Sequence, residues 1–260
     1  MTDQDGEAGR RWKVGPRLKA FGRFAADLIL PPPMSGAGGA ADLGVEAWSR
    51  IAFLEAPVCD GCGSAFEMEG GPLAPDRCAP CQSHPFAFAR ARAACLYDEA
   101  SRDLVLRFKH GDHQPLAGLF ARWIARSAAD LVTEADAVAP VPLHPMRLLA
   151  RRFNQAAEIA RPLAKSAGRE YLPDALVRAV RTKSQGGQSA RGRRLNVRKA
   201  FAVTEAGQLK VRGRRILLID DVLTTGATAE ACARTLLEAG ARAVDLAVVA
   251  RVRTPRTLPT

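Results

Sequence analysis

The sequence predicts an α/β protein, a parallel sheet flanked by helices, with a small cysteine-bound module ahead of it. Three observations lead there. From about residue 86 onward, apolar runs alternate with helix-patterned segments, as in strands joined by crossover helices. Two C-x-x-C pairs, Cys59/Cys62 and Cys78/Cys81, precede that alternation. The stretch ILLIDDVLTTGAT at 216–228 runs from an apolar strand through two carboxylates into a Gly/Thr turn that opens a helix. The chain divides into an extension (1–45), a cysteine module (46–85) and an α/β domain (86–260).

Length and composition agree. A chain of 260 residues with 47% hydrophobic content can build one α/β core plus an appendage. No run approaches the ~20 apolar residues that span a bilayer. The opening MTDQDGEAGRRWK leads into no apolar signal segment, so the expected location is cytoplasmic. The charge of +11 is uneven: residues 147–215 hold 18 Lys and Arg against 4 Asp and Glu. Such a block suits a pyrophosphate-bearing ligand or nucleic acid, or is simply a solvated basic face. With only 2 Tyr in the chain, no aromatic platform for stacking single strands is evident.

Within the extension, 10–30 has the pattern of a short basic amphipathic helix, ended by Pro31-Pro32-Pro33. Residues 35–41 are rich in Gly and Ala. In the module, 15 residues separate the two C-x-x-C pairs, a spacing found in zinc ribbons. Glycines at 61 and 63 and a proline at 80 set the turns. Four thiolates close a tetrahedron and leave no open position, so Cys59, Cys62, Cys78 and Cys81 would hold structural Zn²⁺, whose binding supplies folding energy to a segment this small. A pair of disulfides and a redox site are the alternatives. A cytosolic chain disfavours the first, and the second needs one C-x-x-C at a helix start. Cys95 and Cys232 read as small buried apolar residues.

In the domain, strands are expected at 93–97, 137–141, 215–219 and 243–249, and helices at 101–109, 116–132, 155–167 and 229–239. The segment 139–147, A-P-V-P-L-H-P-M-R, is stiffened by proline. With R-R-F-N-Q at 151–155 behind it, His144, Arg147, Arg151 and Asn154 can hold an anion at a helix start; a proline-rich connector with solvated arginines is the other reading. Residues 181–196, RTKSQGGQSARGRRLN, suit a loop that closes over a ligand or an ordinary surface loop.

The stretch 216–228 carries most of the chemistry. Amides at a helix start are unpaired and sit at the positive end of the helix dipole. Thr224, Thr225 and Thr228 add hydroxyl donors, and Gly226 lets an anion approach the backbone. Asp220 and Asp221 repel phosphate but suit sugar hydroxyls or hydrated Mg²⁺.

This stretch closely resembles the signature of type I phosphoribosyltransferases for 5-phosphoribosyl 1-diphosphate (PRPP). The resemblance implies that Asp220 and Asp221 meet the ribose hydroxyls while Leu223, Thr224, Thr225, Gly226, Ala227 and Thr228 wrap the 5′-phosphate. The order of motifs is more specific. A four-cysteine module is followed by F-K-H-G-D, P-V-P-L-H-P-x-R, R-R-F-N-Q-A, R-T-x-x-Q and S-A-R-x-R-R-x-N-V. Over about residues 28–251 the chain resembles the ComF family, a zinc ribbon on a type I phosphoribosyltransferase-like domain.

The ComF resemblance implies that Leu143, His144 and Arg147 meet pyrophosphate and that Lys109 contributes an anion contact. It also implies that Thr182, Gln185, Arg193 and Asn196 form the mobile segment between the ligand loops, with Arg193 catalytic beside Asp220 and Asp221. The ligand is Mg²⁺-PRPP and the acceptor an unspecified nitrogen. Family members are linked to natural competence and DNA uptake, which implies single-stranded DNA and a helicase-like uptake protein as partners. A non-catalytic, DNA-handling accessory role is the alternative.

Three positions depart from the family. No C-x-x-C follows Leu30-Pro31-Pro32, so one of two metal sites is lost. Arg152 stands where a glycine is usual, and Gly192 where a glutamate is usual.

Overall fold

A computed structural model describes residues 48–66, 76–110, 113–143, 153–178 and 200–253. All fall in one compact unit. The extension, and with it the basic helix expected at 10–30, lies outside the described residues.

A short helix α1 (Ala79–Ser83) carries the second cysteine pair. Then follow β1 (Ala91–Leu96), α2 (Glu99–His110), α3 (His113–Ser127), α4 (Ala129–Glu134), β2 (Ala137–Pro140), α5 (Gln155–Ala167) and β3 (Glu170–Tyr171). The chain continues through β4 (Leu176–Arg178), β5 (Phe201–Val203), α6 (Glu205–Val211), β6 (Arg215–Leu223), α7 (Ala227–Glu238) and β7 (Ala243–Arg251). Five strands form one sheet in the order β1-β7-β6-β2-β3, every neighbouring pair parallel. Strands β4 and β5 pair separately as an antiparallel ribbon.

Burial follows the strand period. Ile216 and Leu218 of β6 and Leu246 and Val248 of β7 share a core with Ala229, Cys232, Ala233 and Leu236 of α7. Leu217, Ile219, Ala247 and Val249, equally buried, point to the opposite face, because successive side chains alternate. Helices α3 and α5 pack on each other and on β1, β7, β2 and β6. A sheet covered on both faces explains why its strands read as near-continuous apolar runs.

The four strands expected from sequence are present. β6 runs on to Leu223, so both carboxylates of the acidic pair lie in the strand rather than after it. The helix expected at 116–132 is two helices that break at Ala128, and α7 starts at Ala227, two residues early. β3, the β4–β5 ribbon and α6 are too short to show a period.

Charged side chains tie the sheet's amino-terminal edge. Asp245, 1% exposed, accepts from Arg215 Nη1 at 2.8 Å and from Arg90 at 3.2 and 3.3 Å. Arg90 also grips Glu134 of α4 at 2.7 Å. An isolated buried carboxylate would be costly, so the two arginines are what make it tolerable. Among the described residues no helix is long and apolar enough to cross a membrane.

Candidate functional site

The site forms at the opposite edge, where β6 delivers its acidic pair. Strand alternation sends the two carboxylates to different sides. Asp221 meets Lys109 of α2, Nζ to Oδ2 at 2.9 Å. Asp220 lies on the α7 side, near the fully buried Cys232, whose thiol is pushed up first by burial and then by the Asp220 charge. Burial, and after it the Asp221 charge, raises the Asp220 carboxyl well above the ordinary carboxylate range; its Oδ1 accepts the Asp221 N–H at 2.9 Å. One carboxylate is thus neutralised by a cation, and the other is driven toward its protonated form.

Beyond Leu223 the chain turns. Gly226 sits at φ +81° as the cap residue of α7 and provides no side-chain cap. Ala227 N–H reaches Thr225 Oγ1 only at 3.4 Å. Thr224, Thr225, Ala227 and Thr228 are exposed. The start of a 12-residue helix therefore faces solvent with donors and hydroxyls around it, an arrangement suited to a phosphate.

The proline-rich segment leaves β2 beside this turn. Val141 donates to Ile219 O at 2.9 Å, which fixes the start of the loop leading to Leu143. Asn154 caps α5: its Oδ1 accepts Ala156 N–H at 3.1 Å and its Nδ2 donates to Val141 O at 3.1 Å. Asn154 is thus a helix cap and a tether to the end of β2, with the second hydrogen of its Nδ2 left for the anion contact expected from sequence. Phe153 packs against Phe108, ring centroids 6.2 Å apart, one residue before Lys109. His144, Arg147, Arg151, Thr182, Gln185, Arg193 and Asn196 lie outside the described residues.

The cysteines converge as the spacing requires. The four Sγ atoms lie within 4.8 Å of one another, with Cys59–Cys78 at 3.5 Å and Cys62–Cys78 at 3.8 Å. A zinc tetrahedron with Zn–S of about 2.3 Å has edges of about 3.8 Å, so the donor set fits. Hydrogen bonding from Cys59, with Ser64 and the Arg251 charge behind it, pulls the Cys62 thiol down to about 4, while its link to Cys62 pushes Cys59 up. Burial pushes Cys81 up to about 12. Thiols that close resist ionising together, and a divalent cation removes that conflict. Cys95 and Cys232 are buried away from the cluster, as expected.

The module is docked on the sheet. Asp60 pairs with Arg92 at 2.7 Å and its carbonyl accepts the Ala91 N–H at 2.7 Å. Arg77 Nη2 donates to Ala89 O at 2.8 Å. Sequence reasoning missed three residues that join module and turn: Phe86, Glu230 and Arg251. Phe86 carried no motif signal, and neither Glu230 nor Arg251 belongs to a motif that marks it in the sequence. The basic block is partly spent internally: Arg214 pairs with Glu170, Arg215 with Asp245 and Arg161 with Glu158, and Arg178 lies over the Phe201 ring. Its cations at 147–152 and 179–199 lie outside the described residues.

A family model described as a phosphoribosyl transferase domain matches residues 150–259. DNA utilization protein YhgH of Escherichia coli (strain K12) is 28% identical over 204 residues, 76% of this chain and 86% of that protein. Competence protein F of Haemophilus influenzae is 28% identical over 214 residues, 75% and 90% of the two chains. Competence protein ComFC of Streptococcus pneumoniae is 30% identical over 197 residues, 72% and 84%.

Proposed function

This chain belongs to the ComF family, and from that premise we propose that it binds Mg²⁺-PRPP at the carboxyl-terminal edge of its sheet and transfers the phosphoribosyl group to a nitrogen acceptor. The observation that carries the reading is the run from Asp220 and Asp221 through the exposed hydroxyls of Thr224, Thr225 and Thr228 into the uncapped start of α7. Carboxylates accept from ribose hydroxyls, and amides with Thr hydroxyls donate to the 5′-phosphate. The two halves of the ligand need both chemistries side by side.

In the proposed reaction the bond from ribose C1 to the pyrophosphate oxygen breaks as the acceptor nitrogen bonds to C1. The nitrogen gives up a proton and pyrophosphate leaves. Asp220 and Asp221 orient the ribose, and Lys109, 2.9 Å from Asp221, holds that side chain in place. The backbone after Val141, with Leu143, His144, Arg147 and Arg193, meets the departing pyrophosphate. Mg²⁺ would neutralise the diphosphate charge that builds on departure. The protein's part is positioning and charge stabilisation.

Cys59, Cys62, Cys78 and Cys81 hold one structural Zn²⁺, in keeping with a reducing, cytoplasmic setting. The relatives' names, DNA utilization protein and competence protein, support a place in DNA uptake, with single-stranded DNA and a helicase-like protein as partners.

Calorimetric titration of zinc-loaded protein with PRPP, with and without Mg²⁺, tests the reading. Magnesium-dependent binding that vanishes in the folded double variant Asp220→Asn/Asp221→Asn supports it; micromolar binding retained by that variant sinks the site. The basic block and the relatives' names favour a second reading, a DNA-handling protein without catalysis. No PRPP binding together with a steep salt dependence of single-strand affinity would select it.

A further inference from the structure

Two contacts join the cysteine module to the phosphate turn, one to each end of that turn. The first is Phe86. Its ring packs against the cluster of Cys59, Cys62 and Cys81 and fills the space beside Gly226. A Cβ at Gly226 would lie 2.7 Å from Phe86 Cε1 and 2.9 Å from Cζ. Phe88 stacks on the same ring, centroids 4.4 Å apart and planes 18° from parallel. The next residue, Ala87, donates its N–H to Glu230 in the first turn of α7. The second contact is Arg251, 7% exposed, which donates to the Cys62 carbonyl inside the first knuckle. Its neighbour Val252 donates to Leu223 O at 3.0 Å.

We propose that Phe86 and Arg251 are positioning residues through which the metal in the four-thiolate site sets the affinity of the phosphate turn. The inference rests on the PRPP reading for the identity of the ligand. Its physical basis is ordering. The knuckles are held together by the ion. Without it, Phe86 loses one of its walls and Arg251 the carbonyl it anchors on. The turn at 223–226 then has less to hold it, and binding must order it first, which lowers affinity. The module thus acts as a clamp on the ligand site as well as a fold element.

The test uses full-length protein, zinc-loaded or stripped by a chelator, as wild type and as Phe86→Leu. PRPP affinity is read by calorimetry in Mg²⁺ buffer, and amide exchange is read along the chain. In wild type, zinc removal is expected to weaken PRPP binding about tenfold and to speed exchange at 224–228 about tenfold, with 216–219 and 244–249 unchanged. In Phe86→Leu the zinc-loaded affinity is already lowered, and removing zinc adds less than about a further twofold. Unchanged affinity and exchange on zinc removal in wild type would overturn the proposal. So would a Phe86→Leu protein that responds as wild type does, or exchange that rises equally through the sheet. Zinc-loaded wild type that fails to bind PRPP overturns the ligand reading instead, and the exchange at 224–228 then decides the coupling by itself.

Discussion

Lys109 Nζ lies 2.9 Å from Asp221 Oδ2, and each side chain is only 17% exposed. The pair joins α2 to the carboxyl-terminal edge of β6 and gives one of two adjacent carboxylates a cationic partner. Lys109→Met leaves Asp221 with an uncompensated, partly desolvated charge. Stability should fall by about 1–2 kcal/mol, between the values typical of exposed and buried pairs. Lys109→Met with Asp221→Asn should regain most of that loss in a urea midpoint, yet neither variant should bind Mg²⁺-PRPP at wild-type affinity. A double variant no more stable than the single one would show that the pair does not set the local energetics.

The neighbouring carboxylate is governed by burial. Burial raises the Asp220 carboxyl in the folded protein, so the folded state holds that proton more tightly than the unfolded chain does. Folding is then penalised as pH climbs above the unfolded value of about 3.9, and increasingly so until the folded-state value is passed. Asp220→Asn removes the penalty. Its melting temperature should exceed wild type by about 2 °C or more at pH 7, and the gap should close as pH falls toward 4. A gap that widens on acidification would reverse the assignment. Mg²⁺-PRPP binding should be lost at every pH.

Gly226 shows what the sequence hid. Gly at the centre of a Thr-rich turn suggests a close approach by an anion. The structure adds a left-handed backbone at φ +81° and an aromatic ring against the Cα. Gly226→Ala meets both the backbone cost of positive φ and the Phe86 ring. It should lose about 2–3 kcal/mol, and pairing it with Phe86→Leu should recover part of that. A Gly226→Ala protein as stable as wild type would mean that Phe86 can leave the turn at little cost.

The parts legible beforehand were those with a period or a fixed spacing. Ile216–Ile219 read as a strand because all four residues are apolar, and the cysteines read as one cluster because knuckle turns leave few other geometries. Asp245 did not read as a buried anchor. Its partners Arg90 and Arg215 come from 155 and 30 residues away in sequence, and an Asp in an apolar strand carries no local mark of what neutralises it. Phe86 was invisible for the same reason, since its role exists only once the fold brings Glu230 beside Ala87, 143 positions away in sequence. Asn154 reads ambiguously because a helix cap and an anion ligand require the same residue type.

That ambiguity is itself testable, because the two ends of the Asn154 amide do different work. Asn154→Ala removes the cap to Ala156 and the tether to Val141, and should cost about 1 kcal/mol for the cap alone. Asn154→Asp keeps an acceptor for the cap, now with a charge favoured at a helix start, but cannot donate to Val141 O. If the tether holds the start of the loop that leads to Leu143, both variants should bind Mg²⁺-PRPP at least about tenfold more weakly. Only the alanine should show the cap's loss of stability. Affinity that tracks melting temperature across the two, with the aspartate near wild type in both, would assign Asn154 to the helix alone.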